Sequence, residues 1–257
     1  MVNSNIPAVR VENLTVGYGD RTILRNLNFT VNRGDIFIIM GPSGCGKSTI
    51  LKSLIGLNPP WAGSVFFGEK NFWEQEENER QAIMRKTGVL YQSGALWSSL
   101  TLKENIALPL QLYTDLPADK IQSEVDLRLS LVGLDGYDDF YPSEISGGMR
   151  KRAGLARAIV LNPEVIFFDE PSAGLDPVSA QMLDELMLQL RDAMGATLVI
   201  VTHELASIFA VGSNSIFIDA ETKTISAWGK PQELLATSKD PKVIQFLTRG
   251  KKQGVPV

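Results

Sequence analysis

Nine consecutive residues, Gly41, Pro42, Ser43, Gly44, Cys45, Gly46, Lys47, Ser48 and Thr49, have the types and spacing of a loop that wraps phosphate. The glycines let the backbone turn with its N–H groups facing inward, Lys47 supplies a mobile cation for the outer phosphates, and the Ser48 hydroxyl can hold Mg²⁺. An apolar run at residues 36–40 reads as a buried strand feeding the loop. Residues 48–55 read as a helix whose positive end adds to the anion site. A glycine turn without a ligand is the plain alternative. The strand before the loop and the helix after it argue against that alternative.

Other polar groups fall at the ends of apolar runs. Residues 165–168 lead into Asp169 and Glu170, and residues 198–201 lead to His203, the chain's single histidine. Both runs read as buried parallel strands, whose C-terminal ends are where ligands are met in open α/β sheets. A carboxylate there can hold Mg²⁺ through water, and its neighbour can accept a proton from an attacking water. Caps and turns are the plain reading of the acid pair, and a structural histidine that of His203. Gln92 follows a fourth run at 87–91 and by itself reads as a surface glutamine. Tyr18, between Gly17 and Gly19, can stack on a purine or can be a turn tyrosine. Ser146, Gly147 and Gly148 open a helix as a cap or as a second anion site.

The elements that must position these groups follow from periodicity. Short apolar patterns at 9–14, 23–31 and 64–67 predict a mainly antiparallel lobe flanking the loop. Residues 74–80 are a charged run. Residues 100–161 change to helical spacing, with Ile121, Val125, Leu129 and Val132 on one stripe of a helix over 118–132. Asp176-Pro177 starts a long helix to about Met194; strands at 214–219 and 224–228 and short helices at 231–237 and 241–247 finish the domain. The tail 250–257 reads as disordered without a partner.

A chain of 257 residues with 44% hydrophobic content can bury a full core. A net charge of −4 gives no argument for nucleic acid as a partner. The short basic runs, Arg150-Lys151-Arg152 and Arg249 with Lys251 and Lys252, read as solvated faces. No apolar run approaches the ~18 residues of a membrane span, and residues 1–10 lack the apolar core of a signal peptide, so the chain is expected in the cytoplasm. One cysteine excludes an internal disulfide.

Taken together over residues 9–247, the order and spacing of these motifs resemble the nucleotide-binding domain of ABC-type ATPases. The resemblance implies an α/β P-loop NTPase fold of ABC type: a RecA-like core with an antiparallel β subdomain (about 8–92 and 162–249) and an inserted α-helical subdomain (about 93–161). It makes Tyr18 the adenine-stacking aromatic, residues 41–49 the Walker A loop, and Gln92 the Q-loop glutamine, which senses γ-phosphate and joins Ser48 and Asp169 around Mg²⁺. Residues 145–149 become the family signature, 165–169 the Walker B strand, Glu170 the catalytic glutamate, 172–176 the D-loop with Asp176 at the nucleotide, and His203 the switch histidine. Lys47, Gln92, Glu170 and His203 are then the catalytic set, with ATP and Mg²⁺ as cofactors. Two copies are expected to pair head to tail, Ser146 and Gly148 of one completing the ATP site of the other.

One departure narrows the resemblance: Met149 stands where most of the family has glutamine. The stretches 146–152, 92–97 and 170–177 look like the ATPases of Mla/Mce-type systems that move phospholipids or other lipids between the membranes of Gram-negative envelopes. That implies a membrane permease, a small accessory subunit and a periplasmic lipid-binding protein as partners, no nucleic acid, and a place on the cytoplasmic side of the inner membrane. Leu96 and Trp97 stand where the family receives a permease helix, or they pack inside the helical lobe. A non-lipid transporter, a non-transport ABC ATPase, a cassette that binds ATP without hydrolysing it and another kind of P-loop enzyme are the competing readings.

Overall fold

The computed structural model describes residues 6–250. Two sheets organise the chain, and the phosphate loop lies at the end of the larger one. Strands β1 (Val9–Tyr18), β2 (Arg21–Val31), β4 (Ala62–Phe67) and β5 (Lys70–Asn71) form an antiparallel sheet in the order β2-β1-β4-β5. Strand β3 (Ile36–Met40) belongs to the other sheet, with β6 (Thr87–Leu90), β7 (Val165–Asp169), β8 (Thr197–Val201), β9 (Asn214–Asp219) and β10 (Thr224–Gly229), ordered β10-β9-β3-β8-β7-β6. Within it β9, β3, β8, β7 and β6 pair in parallel, and β10 closes the edge antiparallel to β9.

Burial on both faces explains why the parallel strands are apolar without interruption. In β3, Phe37 and Ile39 point into one core, shared with the antiparallel sheet and helix α1 (Lys47–Leu54). Ile36, Ile38 and Met40 point into a second core on the other face. Strand β7 alternates alike, Val165 and Phe167 against Ile166 and Phe168. That second core is completed by α6 (Pro177–Met194), α7 (Leu205–Val211), α8 (Pro231–Thr237) and α9 (Pro241–Leu247).

A third core is helical. Leu102, Ile106 and Leu110 of α3 (Leu102–Tyr113) meet Val125 and Leu129 of α4 (Ala118–Leu131) and Ala153 and Ala156 of α5 (Gly147–Ile159). Its first helix starts at a capping box, Thr101 accepting from Glu104 N–H while Glu104 reaches back to Thr101.

Several boundaries differ from the sequence reading. The first helix starts at Lys47 and ends at Leu54, and β1 runs on through Tyr18. The charged run at 74–80 leads into a helix, α2 (Glu77–Met84), with no buried residue, so no apolar stripe announced it. The basic run at 150–152 is not a solvated face. Arg150 donates to Ile145 O (2.8 Å), Lys151 to Pro171 O and Ala173 O, and Arg152 to Val132 O and Gly133 O. Carbonyls at loop ends need donors, and these three side chains supply them. Most of the tail expected at 250–257, together with Lys251 and Lys252, lies outside the described residues.

Candidate functional site

Four of the parallel strands deliver the site. From β3 the chain enters the phosphate loop with Gly41 and Gly46 at φ 151° and 107°. A Cβ on Gly41 would stand 2.7 Å from Ile218 O, and one on Gly46 would stand 2.8 Å from Ile23 and Leu24, so neither position accepts a side chain. Cys45 and Thr49 are buried beneath the loop, and burial pushes the Cys45 thiol up despite nearby Lys47. Cys45 therefore acts as a small side chain filling space.

Lys47 lies along the loop, its ammonium donating to Gly41 O (2.9 Å) and Pro42 O (3.2 Å). It is also 3.7 Å from Glu170 Oε1. Ser48 Oγ donates to Asp169 Oδ1 at 3.1 Å. Burial raises the pKa of Asp169, while the Ser48 bond opposes that rise. A hydroxyl and a carboxylate converging at the end of a strand are the hard oxygen donors that Mg²⁺ takes together with water and phosphate oxygens.

Glu170 carries a backbone irregularity: its φ is 47°, in the left-handed region that non-glycine residues seldom occupy. Its N–H donates to Val201 O (2.8 Å), which ties it to β8. From the end of β8, His203 meets both of its oxygens. The His203 backbone N–H donates to Oε2 (3.3 Å), and ring Nδ1 stands 2.8 Å from Oε1. A carboxylate only accepts, so that contact assigns the imidazole proton to Nδ1. Strain of this kind persists where the surroundings impose it and is concentrated at functional sites.

An open cleft of about 300 Å³ is lined by Ile23, Ser43, Gly44, Gly46, Lys47, Ser48, Thr49 and Glu170. Tyr18, 46% exposed at the tip of β1, has the Lys52 ammonium 5.9 Å above its ring. Gln92 is exposed two residues past β6. The loop after it is clamped by Arg157 of α5, which donates to Gly94 O (3.2 Å) and Ala95 O (2.8 Å).

The structure does not gather every expected residue. Ser146 caps α5 by accepting from Met149 N–H at 3.2 Å, and with Gly148 and Met149 it lines a small hollow against Leu175, Ser179 and Met182. Among the described residues no hydrogen bond joins Ser146, Gly147 or Gly148 to the phosphate loop. Asp176 is occupied as the cap of α6: Oδ1 accepts from Val178 N–H and Ser179 N–H, and Oδ2 from the Ser179 hydroxyl (2.6 Å). Sequence reasoning missed Lys151 and Arg157 as holders of the D-loop and Q-loop segments. One signal was available for Lys151: with Leu155 and Ile159 it forms a single stripe at helical spacing, and both of those are buried.

A phosphate loop on an interior strand of a mostly parallel sheet, an acid pair on the next strand but one, a histidine between them and an inserted helical lobe define an ATP-binding cassette. The comparisons agree. The family model described as ABC transporter matches residues 24–173, more than half of the chain, and the chain belongs to that family of ATPases. It is 39% identical to the intermembrane phospholipid transport system ATP-binding protein MlaF of Haemophilus influenzae, over 98% of this chain and 94% of that one. Against MlaF of Escherichia coli K12 it is 40% identical, over 89% and 84% of the two chains. With a probable ribonucleotide transport ATP-binding protein mkl of Mycobacterium tuberculosis it shares 41% identity, over 93% of this chain and 66% of the relative. Among solved structures, the dimeric cassette MJ0796 in a post-hydrolysis state with ADP and Pi superposes with a TM-score of 0.79 at 28% identity, covering 86% and 98% of the two chains. The cassette cbiO1 of Clostridium perfringens gives 0.82 at 25%, covering 95% and 96%.

Proposed function

We propose that this chain powers a membrane transporter as a head-to-tail pair of cassettes on the cytoplasmic face of the inner membrane, and that the cargo is phospholipid. The observation that carries the chemistry is the convergence of Lys47 and His203 on Glu170, three groups from three strand ends, with Lys47 and Glu170 lining one cleft. Their order suits in-line hydrolysis. Glu170 takes a proton from a water whose oxygen bonds to the γ-phosphorus, the bond from that phosphorus to the ADP oxygen breaks, and Lys47 and His203 offset the charge on the phosphoryl oxygens. Ser48, Asp169 and Gln92 would hold Mg²⁺, which would supply further charge neutralisation. Backbone N–H groups of residues 43–49 hold the phosphates, and Tyr18 stacks on the base.

Ser146, Gly147 and Gly148 then serve a second copy's nucleotide, with Asp176 at the interface between the copies. Support comes from their distance in bonding from their own phosphate loop and from the dimeric state named for the MJ0796 structure. No helix among the described residues is long and apolar enough to cross a membrane, and attachment is assigned to a permease subunit. Trp97, 60% exposed, offers a docking group, whereas Leu96 packs against the helical core. Beside them a groove of about 430 Å³ between α2, α3 and α5 is lined by Met84, Pro109, Tyr113 and Arg157, and it suits a short permease helix. Phospholipid as cargo, and with it an accessory subunit and a periplasmic lipid carrier, rests on likeness to the MlaF proteins.

Two measurements test this reading. Glu170→Gln should keep MgATP affinity and lose about 10²-fold or more in turnover; hydrolysis at the wild-type rate would remove Glu170 from its role. Purifying the chain with its membrane partner should bring phospholipid along. Ribonucleotide in its place would move the cargo to the class named for the mycobacterial relatives, and another small solute would make this a non-lipid transporter.

A further inference from the structure

We propose that Lys151 is a positioning residue for hydrolysis: its ammonium, carried by the helix that Ser146 caps, fixes the backbone just after Glu170 and so aims that carboxylate. The proposal rests on Glu170 being the general base.

Lys151 is only 5% exposed, in the middle of a basic run. Its ammonium donates to Pro171 O (2.5 Å) and Ala173 O (2.6 Å). The carbonyls before and between them are also accounted for, Glu170 O accepting from Ala173 N–H (3.2 Å) and Ser172 O from Leu175 N–H (3.1 Å). Carbonyls 170 to 173 thus alternate between turn N–H groups and one ammonium. This segment follows the left-handed φ of Glu170 and has no regular ladder to hold it.

No carboxylate among the described residues forms a close ion pair with Lys151. Burial lowers its pKa, and the charge of Glu170 works the other way. A buried ammonium held by carbonyls alone costs folding free energy relative to an apolar side chain of that length. Simple packing would be served better by methionine, so a task that needs two directed donors accounts for the lysine. The placement also has a consequence for a paired cassette. Ser146 and Lys151 lie little more than one turn apart on α5, so the helix that meets one nucleotide also holds the base acting on the other.

The test compares Lys151→Met, Lys151→Gln and Lys151→Arg in the full chain, measuring MgATP binding, steady-state hydrolysis and thermal midpoint. Positioning predicts that Lys151→Met binds MgATP within about twofold of wild type and loses about tenfold or more in kcat, while Lys151→Arg recovers most of that loss. A folded Lys151→Met with kcat within about twofold of wild type overturns the proposal, and so does a parallel fall in affinity and kcat. Should Lys151→Met not fold, Lys151→Gln is read by the same criteria; failure of both to fold assigns the ammonium to stability and also overturns it. Glu170→Gln run alongside separates the two claims. If that variant hydrolyses normally, the base assignment itself is wrong; if it is inactive while Lys151→Met turns over normally, only the role of Lys151 falls.

Discussion

His203 holds Glu170 at both carboxylate oxygens, through ring Nδ1 at 2.8 Å and its own backbone N–H at 3.3 Å. The two residues lie just past the ends of adjacent parallel strands, where Asp169 of β7 stands opposite Val201 of β8. The sheet register therefore sets their separation, and the backbone bond survives any change of the His203 side chain. His203→Ala should bind MgATP within a few-fold of wild type and lose about 10²-fold in turnover, the usual scale for a positioned proton-transfer or charge-stabilising partner. Parallel binding and steady-state measurements check this; unchanged turnover would leave the ring contact without a catalytic part.

Helix α5 approaches the segment after Gln92 at backbone contact distance. A Cβ on Gly154 would stand 2.8 Å from Gly94 O, and the same segment is drawn in by Arg157. Gly154→Ala should destabilise the chain by about 1–3 kcal/mol, the range for overpacking, read from the urea midpoint. Stability within about 0.5 kcal/mol of wild type would mean that the loop moves without cost.

Asp184 makes a pH prediction. It is 7% exposed on α6, its Oδ1 has no hydrogen-bond partner, and desolvation pushes its pKa up to about 6 despite a bond from Ser207. Ser207 Oγ in turn lies 3.3 Å from the Ser172 hydroxyl, which donates to it when the one Ser207 proton is committed to Asp184. The folded pKa lies above the unfolded one, near 4 for an aspartate, so across roughly pH 4 to 6 the folded chain keeps a proton that the unfolded chain has released. This contribution to stability therefore falls as pH rises through that window. Asp184→Asn should be more stable than wild type at pH 8, by on the order of 2 kcal/mol, with little gain at pH 4. Denaturation at the two pH values decides it, and equal stabilisation at both would contradict the assignment.

Much of this was legible in the sequence because the site sits on strands buried on both faces. Residues 36–40, 165–168 and 198–201 are unbroken apolar runs ending in polar groups, and a buried parallel sheet leaves that trace. Helix α2 was not legible, since a helix with nothing buried carries no stripe. Lys151, Arg157 and Ser207 were hidden for another reason. They bond to backbone carbonyls or a hydroxyl brought close only by folding, across separations of 20 to 63 residues, and no local spacing encodes that.

The central claim, that two copies share their nucleotides, is tested most directly by the solution mass of Glu170→Gln with saturating MgATP. Light scattering should give twice the mass of one 28.2 kDa chain, and adding Ser146→Arg to that variant should return it to a monomer that still binds ATP. A Glu170→Gln chain that stays monomeric while saturated with MgATP would contradict the account.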